Sequence, residues 1–570
     1  MVSRVVLPVL DLEQNDNPLK KTVLKGAKNY VQQEFTPDSQ SDSGLVFTIV
    51  PPSQNTVVDR RIDIEYDVVL NSGNANGLTP HWCSNTDVGA AAATYGYADA
   101  SYCSDLNFTS TLVGAFAAAS VQNGIQAAVN QTELVSNSKV RRQLTNNLAP
   151  RALPISSVID NVSVNINGQH ISAESKRITA PLLQYTDKDY REKALSGTPH
   201  HPNQVSVMTE YHKPNVAGSG GYIVSGGALS ISQNGGRDGE TPNGVYMVEG
   251  QTATLLSAAG AVVPYAANAT GQSLRLRLRE PLNLSPFLLH YGEGMTNVNQ
   301  IQITVNFDST KLARLFEYFA PNGNMTTGAN GQAANAFSAT FENGTNSARA
   351  FARFYTAQDD IRIPNEIVLP YHQPVVYASS SYNLAGNAIY TNTAAGGFTA
   401  TNVLKRVGQN RRLNQIPDAL YIWTAQFHND KTMGDADFFA DLRSLNITFQ
   451  NQTGILNNHK PAQLLQIARE NGCDTRGEIE RCQRGYCLKL IFGKDIPLED
   501  NLSPGTRGDF SIQITREVCA RHTAGGALNF TDYEMYVNGG HCIIAPNECR
   551  VQTGLLDLKE NLSAEDMGDK

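Results

Sequence analysis

One pattern occurs twice in this chain of 570 residues, and it restricts the fold more than any other feature. Residues 274–286 read LRLRLREPLNLSP and lead through a glycine-bearing link to Ile301-Gln302-Ile303-Thr304. Residues 488–504 read LKLIFGKDIPLEDNLSP and lead through another such link to Ile512-Gln513-Ile514-Thr515. In both copies a stretch with the two-residue period of a half-buried strand meets a proline-broken loop ending in Ser-Pro, and a second alternating stretch follows. The spacing is nearly kept, 27 positions from Leu274 to Ile301 and 24 from Leu488 to Ile512. A four-residue identity by itself can be a coincidence between unrelated strands. Held in place within a longer order, it argues that one β-unit was duplicated. A chain of this length exceeds one core, and at ~100–200 residues per domain it allows two large domains or three to four small ones. Duplication selects two.

The remaining sequence has the grammar of an antiparallel sandwich: many strands, few short helices, long loops. Residues 1–45, of mixed charge and turning Ser- and Asp-rich, read as an N-terminal arm. Residues 46–320 form the first unit, with long loop insertions. Its clearest strand starts near Asp59, where Ile62, Ile64, Tyr66 and Val68 fall on one face and Asp63, Glu65 and Asp67 on the other. Val162, Val164 and Ile166 alternate before Asn167-Gly168, a hairpin signal. Residues 86–150 break the rhythm with Ala-rich segments, and the spacing predicts a helix over 113–129. Residues 214–244, dense in Gly and Asn, read as an outward loop or tower. A short helix is expected over 309–319, capped by Asp308 or Ser309. The Gly-, Asn- and Thr-rich stretch 321–345 is the expected linker, and 346–552 the second unit, with 553–570 as a tail. That unit is expected to hold strands at 349–355, 361–368, 419–427, 442–449, 486–492, 510–518 and 533–544, with one helix starting at Pro461 and stopped by Gly472. Parallel α/β folds are excluded.

Charge and composition narrow the partners. Charged residues make up 17%, below the ~25% typical of soluble domains, so much of the polar surface is Asn, Gln, Ser and Thr. Neutral groups desolvate more cheaply than ions, which suits extensive subunit contact, although the same composition also fills long loops. A net charge of -8 argues against sequence-specific or charge-driven nucleic-acid binding, which needs clustered cations. Lys20, Lys21, Lys25 and Lys28, then Lys139, Arg141 and Arg142, then Arg406, Arg411 and Arg412 read as solvated faces or strand-end charges. No transmembrane segment is expected: the most apolar stretch, 113–129, is broken by Gln122, Asn123 and Gln126. Asp11 and Glu13 interrupt the N-terminus before any long apolar run, so no signal peptide is evident and cysteines 83, 103, 473, 482, 487, 519, 542 and 549 are expected to be reduced thiols. Asn-X-Ser/Thr sequons such as those at Asn107, Asn161, Asn446 and Asn529 then carry no glycosylation argument.

Catalytic signals are missing. There is no phosphate-cradling loop, no G-x-S-x-G, no H-E-x-x-H and no C-x-x-C. His200-His201 is the one close histidine pair, and neighbours on a strand point to opposite faces. No H-x-H with a following Glu marks a cupin metal site. The spacing of Cys473, Cys482 and Cys487 fits no zinc ribbon, and Asp435 with Asp437 lacks the closing Glu of a calcium loop. Asp359, Asp360 and Glu366 can be imagined as the paired carboxylates of a glycosidase, but nothing fixes their separation and strand-end charges explain them better. The expectation is a non-enzyme with no catalytic, cofactor or metal site.

In the second half, Gln415-Ile416-Pro417 leads into the strand at 419–427; Leu445-Asn446-Ile447-Thr448-Phe449 is followed by Gln452-Thr453-Gly454; the helix ends at Asn471-Gly472-Cys473; and 488–492 runs into Gly493-Lys494-Asp495-Ile496 and the Leu502-Ser503-Pro504-Gly505 turn. This order resembles the C-terminal jelly roll of double jelly-roll major capsid proteins of small eukaryotic DNA viruses, the virophages, polinton-like viruses and relatives. Residues 281–287 and 297–307 resemble the first jelly roll. The resemblance implies an all-β protein of two tandem eight-stranded jelly rolls. It also implies homotrimeric capsomers of pseudo-hexagonal outline, as in adenovirus hexons, that tile an icosahedral virion shell. Penton and minor capsid proteins would be further partners, and assembly would occur in the host cytoplasm or nucleus. A carbohydrate- or receptor-binding spike or lectin-like protein is the main alternative, a glycoside hydrolase a lesser one. Aromatics at 8%, with Trp82 and Trp423 the only tryptophans, speak against sugar stacking.

Overall fold

The computed structural model describes residues 29–53, 56–72, 139–142, 148–150, 153–186, 248–251, 272–287, 294–318, 337–342, 347–356, 365–383, 390–392, 398–400, 403–431, 439–473, 485–500, 502–519 and 529–554. In its first half the chain forms β1 (Asn29–Phe35), β2 (Gly44–Ile49), β3 (Asp63–Ser72), the short helix α1 (Pro154–Val158), β4 (Ile159–Ile166), β5 (Gln169–Ala173), helix α2 (Ser175–Gln184), β6 (Gln272–Pro281), β7 (Ile301–Phe307) and β8 (Ala348–Thr356). The second half forms β9 (Ile367–Ala378), β10 (Leu404–Val407) with β11 (Arg411–Gln415), β12 (Ala419–Gln426), β13 (Asp441–Phe449), β14 (Gln452–Ile455), helix α3 (Pro461–Glu470), β15 (Leu488–Ile491), β16 (Arg507–Cys519), β17 (Asn529–Ala545) and β18 (Glu548–Thr553).

The two halves are wound alike. The first, eighth, third and sixth strands lie side by side in one sheet, as β1–β8–β3–β6 and again as β9–β17–β12–β15. Strands two, seven, four and five form the facing sheet, as β2–β7–β4–β5 and again as β10/β11–β16–β13–β14. All these pairings are antiparallel, and in each half a helix follows strand five. This is a double jelly roll. The repeated sequence pattern is strands six and seven of each roll, so its Ser-Pro loop carries the chain from one sheet to the other.

Local chemistry explains the elements. Asn167 and Gly168 both take positive φ, 46° and 95°, as the two-residue turn between β4 and β5 requires. Ile301, Ile303 and Val305 of β7 point inward while Gln302 and Thr304 alternate away. Pro370 and Pro374 sit in β9, which lies at the end of its sheet order, where a missing N–H costs least. In α3, Pro461 opens the first turn, Leu464, Leu465 and Ala468 face the core, and Gly472 follows with φ 99°.

Several expectations are corrected by the pairing. Asn29–Phe35, assigned to the arm, is strand one of the first roll; most of its side chains are exposed, which hid its period. Phe337–Phe341, assigned to the linker, pairs with β3. Ala348–Thr356, assigned to the second unit, completes the first sheet against β1 and β3, with Ala348, Ala350, Ala352 and Phe354 in the first core. The expected helix after Asp308 is a 3-10 helix, Ser309–Leu315, and Phe316–Tyr318 then pairs with Leu148–Pro150. The expected strand at 361–368 begins instead at Ile367 and runs on to Ala378, because the prolines interrupt its sequence pattern. β10, β11, β14 and β18 are further strands that the sequence pattern does not mark. The predicted helix over 113–129, most of the 86–150 insertion, the 214–244 loop and the lysines before Asn29 lie outside the described residues.

Candidate functional site

The most extensive structured feature beyond the two cores is the seam between the rolls. It is built by β12, whose eight residues Ala-Leu-Tyr-Ile-Trp-Thr-Ala-Gln are all buried. Because successive side chains of a strand point to opposite faces, one set serves each side. Leu420 and Ile422 belong to the second roll's own core, whereas Ala419, Tyr421, Trp423 and Ala425 join a core continuous with that of the first roll. Tyr533, Met535, Cys487, Leu369 and Tyr371 extend that apolar face.

From the first roll, α2 and the two residues at its end complete the contact. The Tyr185 hydroxyl donates to the Cys487 carbonyl at 2.6 Å and accepts from the Lys489 N–H at 2.8 Å, while the Gln184 side-chain carbonyl accepts from the Cys487 N–H at 2.8 Å. The Tyr185 and Tyr421 rings meet edge to face at 5.3 Å between centroids, and the Lys489 ammonium lies 5.7 and 5.6 Å from those rings. Burial pushes the Tyr185 hydroxyl well above its usual pKa, so it acts as a neutral donor and acceptor. Elsewhere along the seam the His372 N–H donates to Ser285 Oγ at 3.1 Å, and Lys311 Nζ donates to the carbonyls of Lys431, at 3.0 Å, and Asn429. At one end a cavity of about 40 Å3 is lined by Lys176, Arg177, Arg314, Gln426, His428 and Lys431, space on the scale of one or two waters.

The equivalent face of the first roll is chemically different. Its outward side chains are Asp63, Glu65 and Asp67 on β3, Arg277 and Arg279 on β6, and Arg349, Phe351, Arg353 and Tyr355 on β8. Arg277 grips Asp67 through two bonds of 2.8 and 3.2 Å; Arg279 and Arg61 both reach Asp63 at 2.9 Å; Arg349 pairs with Glu34 at 3.0 Å. The Arg279 guanidinium also covers the Phe351 ring at 4.1 Å. The acidic row read from the sequence as the far side of a half-buried strand is thus itself buried, beneath a layer of arginines. Burial raises the Glu65 pKa, against the pull of Arg277, Arg279 and Arg349.

Of the carboxylate and histidine candidates, the described residues include only Glu366. Glu366 is exposed just before β9, and Asp359, Asp360, His200, His201, Asp435 and Asp437 lie outside the described residues. Among the described residues no group of three His, Cys, Asp or Glu side chains could hold a metal ion. Cys473, Cys487, Cys519, Cys542 and Cys549 are buried thiols, and Cys542 and Cys549 approach to 3.7 Å. Cys83, Cys103, Cys482 and Trp82 are outside the described residues. Trp423 is stacked on Tyr533 at 5.2 Å and is 4% exposed, so it offers no ring to a sugar.

Family comparison decides what this architecture belongs to. The family model of the Sputnik virophage major capsid protein 1st domain matches residues 10–140 and 113–348, and that of the major capsid protein V20 C-terminal domain matches residues 387–540. The chain belongs to the virophage major capsid protein family. The putative capsid protein V20 of Sputnik virophage is 24% identical over 445 residues, 73% of this chain and 66% of that protein, just under two thirds of its length. A chain of the Sputnik virophage solved by cryo-electron microscopy superposes with a TM-score of 0.64 at 20% identity, covering 99% of this chain and 95% of that one. The mavirus major capsid protein superposes with a TM-score of 0.60 at 11% identity, covering 94% and 92%. The virophage capsid family is one of structural shell proteins, which accords with a seam that joins two rolls into one buried core. No helix among the described residues is long and apolar enough to cross a membrane.

Proposed function

We propose that this protein is the major shell subunit of a small DNA virus, that three copies form a capsomer of pseudo-hexagonal outline, and that capsomers tile an icosahedral virion. The observation that carries the reading is the repetition of the 1-8-3-6 and 2-7-4-5 strand orders in both halves, joined along a buried seam. A chain with two similar wedges gives a threefold assembly six of them, so near-hexagonal packing follows without sixfold symmetry. The roll boundary belongs between Thr356 and Ile367, after the last strand of the first sheet and before the first strand of the second. Penton and minor capsid proteins are assigned as partners at the capsomer rim and vertices. Assembly in the host cytoplasm or nucleus suits buried thiols such as Cys487, which a reducing compartment preserves. Electron microscopy of the purified chain with a mass measurement tests the reading: trimers or particles are expected, each trimer three times the 61.8 kDa chain. A uniform monomer under all conditions would overturn it.

A further inference from the structure

Near the end of the chain two thiols meet in the core that the rolls share. They are Cys542 on β17 and Cys549 on β18, and their sulfurs are 3.7 Å apart. We propose that this pair is a reversible redox staple: reduced while the protein is made, it closes to a disulfide when the protein meets an oxidising thiol–disulfide pool. The proposal rests on the shell-subunit reading only for that change of surroundings, from the host interior to the released particle.

Strand register brings the sulfurs together. Cys542 lies opposite Val551 and Cys549 opposite Ile544, so the cysteines are diagonal neighbours, and the two-residue offset puts both on one face of the hairpin. That face is the buried one: Cys542 is fully buried and Cys549 is 6% exposed, whereas Glu548 and Arg550 on either side of Cys549 are exposed. A disulfide needs ~2.05 Å between sulfurs, so side-chain rotation and a small slide of β18 must take up the difference. Among the described strands β18 pairs with β17 alone, whereas β17 is also held by β9 and β12. The strand that must move is the less restrained one.

The hydrogen bond between the sulfurs makes them unequal. It lowers the Cys549 thiol and raises that of Cys542, so the shared proton rests on Cys542 and Cys549 is the readier thiolate. With glutathione disulfide as the oxidant, the Cys549 thiolate attacks one glutathione sulfur and releases the other as a thiolate. Cys542 gives up its proton, and its sulfur attacks that of Cys549 and displaces the second glutathione thiolate. The bond between the glutathione sulfurs is thereby exchanged for one between Cys542 and Cys549. Two cysteines are oxidised, one glutathione disulfide is reduced, and the protons of both cysteine thiols end on the two glutathione thiols.

The tip of the stapled hairpin is where the second roll touches the first. Asn167, in the turn between β4 and β5, donates to the Ala545 carbonyl at 3.4 Å, and Asn299, just before β7, donates to the side-chain oxygen of Asn547. A bond between Cys542 and Cys549 closes a short loop around that tip and removes its freedom in the unfolded chain. The oxidised protein is then the more stable form.

The test uses the full-length chain, purified in reducing buffer and then held native in either glutathione disulfide or reduced glutathione. Remaining thiols are alkylated in denaturant before digestion with trypsin. Residues 522–550 form one tryptic peptide whose only cysteines are Cys542 and Cys549. After oxidation that peptide is expected to carry no alkyl group and to lack two hydrogens, and after treatment with a reductant to become doubly alkylated. The thermal midpoint of the oxidised wild type should exceed that of the reduced one by about 5 °C, and Cys549→Ala should abolish the difference. Two alkylated cysteines after prolonged oxidation, a mixed glutathione disulfide that goes no further, or a bond from either sulfur to another cysteine overturns the proposal. A bond that forms without raising the midpoint, or a rise that persists in Cys549→Ala, overturns it as well. Sedimentation of the same samples separates the two readings: trimers that lack the bond sink only the staple, and monomers that form it sink only the capsomer.

Discussion

The hydroxyl of Tyr185 lies between the two rolls with its proton on the carbonyl of Cys487, 2.6 Å away and 302 residues further along the chain. Since the same oxygen accepts the N–H of Lys489, one side chain satisfies both polar groups of the strand edge that the seam buries. Replacing it with Phe keeps the ring against Tyr421 and strands a carbonyl and an N–H. Tyr185→Phe should therefore cost about 1–3 kcal/mol, read as a lower midpoint in urea with little change in slope.

The seam's apolar content is tested at Trp423, which stacks on Tyr533 within 11° of parallel. Trp423→Ala should destabilise by about 3–5 kcal/mol, as expected for a large core truncation. Calorimetry should show the loss, and no change in glycan-array binding should accompany it.

Glu280 is fully buried and accepts the N–H groups of Ile155 and Ser156 and the Ser156 hydroxyl. Burial pushes its carboxyl up to about 7 from 4.5, against those three bonds. The folded state therefore holds a proton that the unfolded chain releases near pH 4.5. This group's stability contribution is present in full below that value and is lost as pH rises through about 7. Over that window stability should fall by roughly 3 kcal/mol from this group. Glu280→Gln should flatten that slope in denaturation curves taken between pH 4.5 and 7.5, while losing some stability at the acid end because an amide offers one acceptor oxygen and not two.

Within the second core, Arg516 is 1% exposed and donates to Glu534 at 2.5 Å and to the carbonyls of Trp423, at 3.4 Å, and Tyr533, at 3.2 Å. Tyr536 donates to the other Glu534 oxygen at 3.2 Å. Arg516→Met leaves a buried carboxylate short of its main partner and should cost about 3–5 kcal/mol. Adding Glu534→Gln should recover part of that loss, so the double variant is more stable than the sum of the singles, measured as a double-mutant cycle.

How far the sequence reveals this fold depends on which partner a strand has. The repeated strands six and seven are legible because their alternation and Ser-Pro loop are local. β12 is legible as buried, but not as shared: Ala-Leu-Tyr-Ile-Trp reads as one apolar run, and only the fold shows that Leu420 and Tyr421 serve different cores. β1 is not legible in the sequence because Tyr30 and Val31 are about half exposed and its register comes from β8, more than three hundred positions away. β8 itself alternates Ala with Arg and aromatic residues, which identifies a strand but not that it returns to the first sheet after a long excursion. The acidic row of β3 gives no local sign of its arginines, which arrive on β6 some two hundred positions later. Non-local pairing of this kind leaves no trace in any window of the chain. The shell function was legible through the order of the second-half segments; the chemistry that distinguishes the two outward faces was not, since it emerges only once both are folded.

The claim on which the account depends is tested most directly by cryo-electron microscopy of the purified full-length chain. The account predicts a threefold capsomer whose density shows six wedge-shaped rolls in a ring, each chain contributing two neighbours. Particles with one or two chains, or a threefold ring in which the two rolls of a chain do not occupy equivalent sixths, would contradict it.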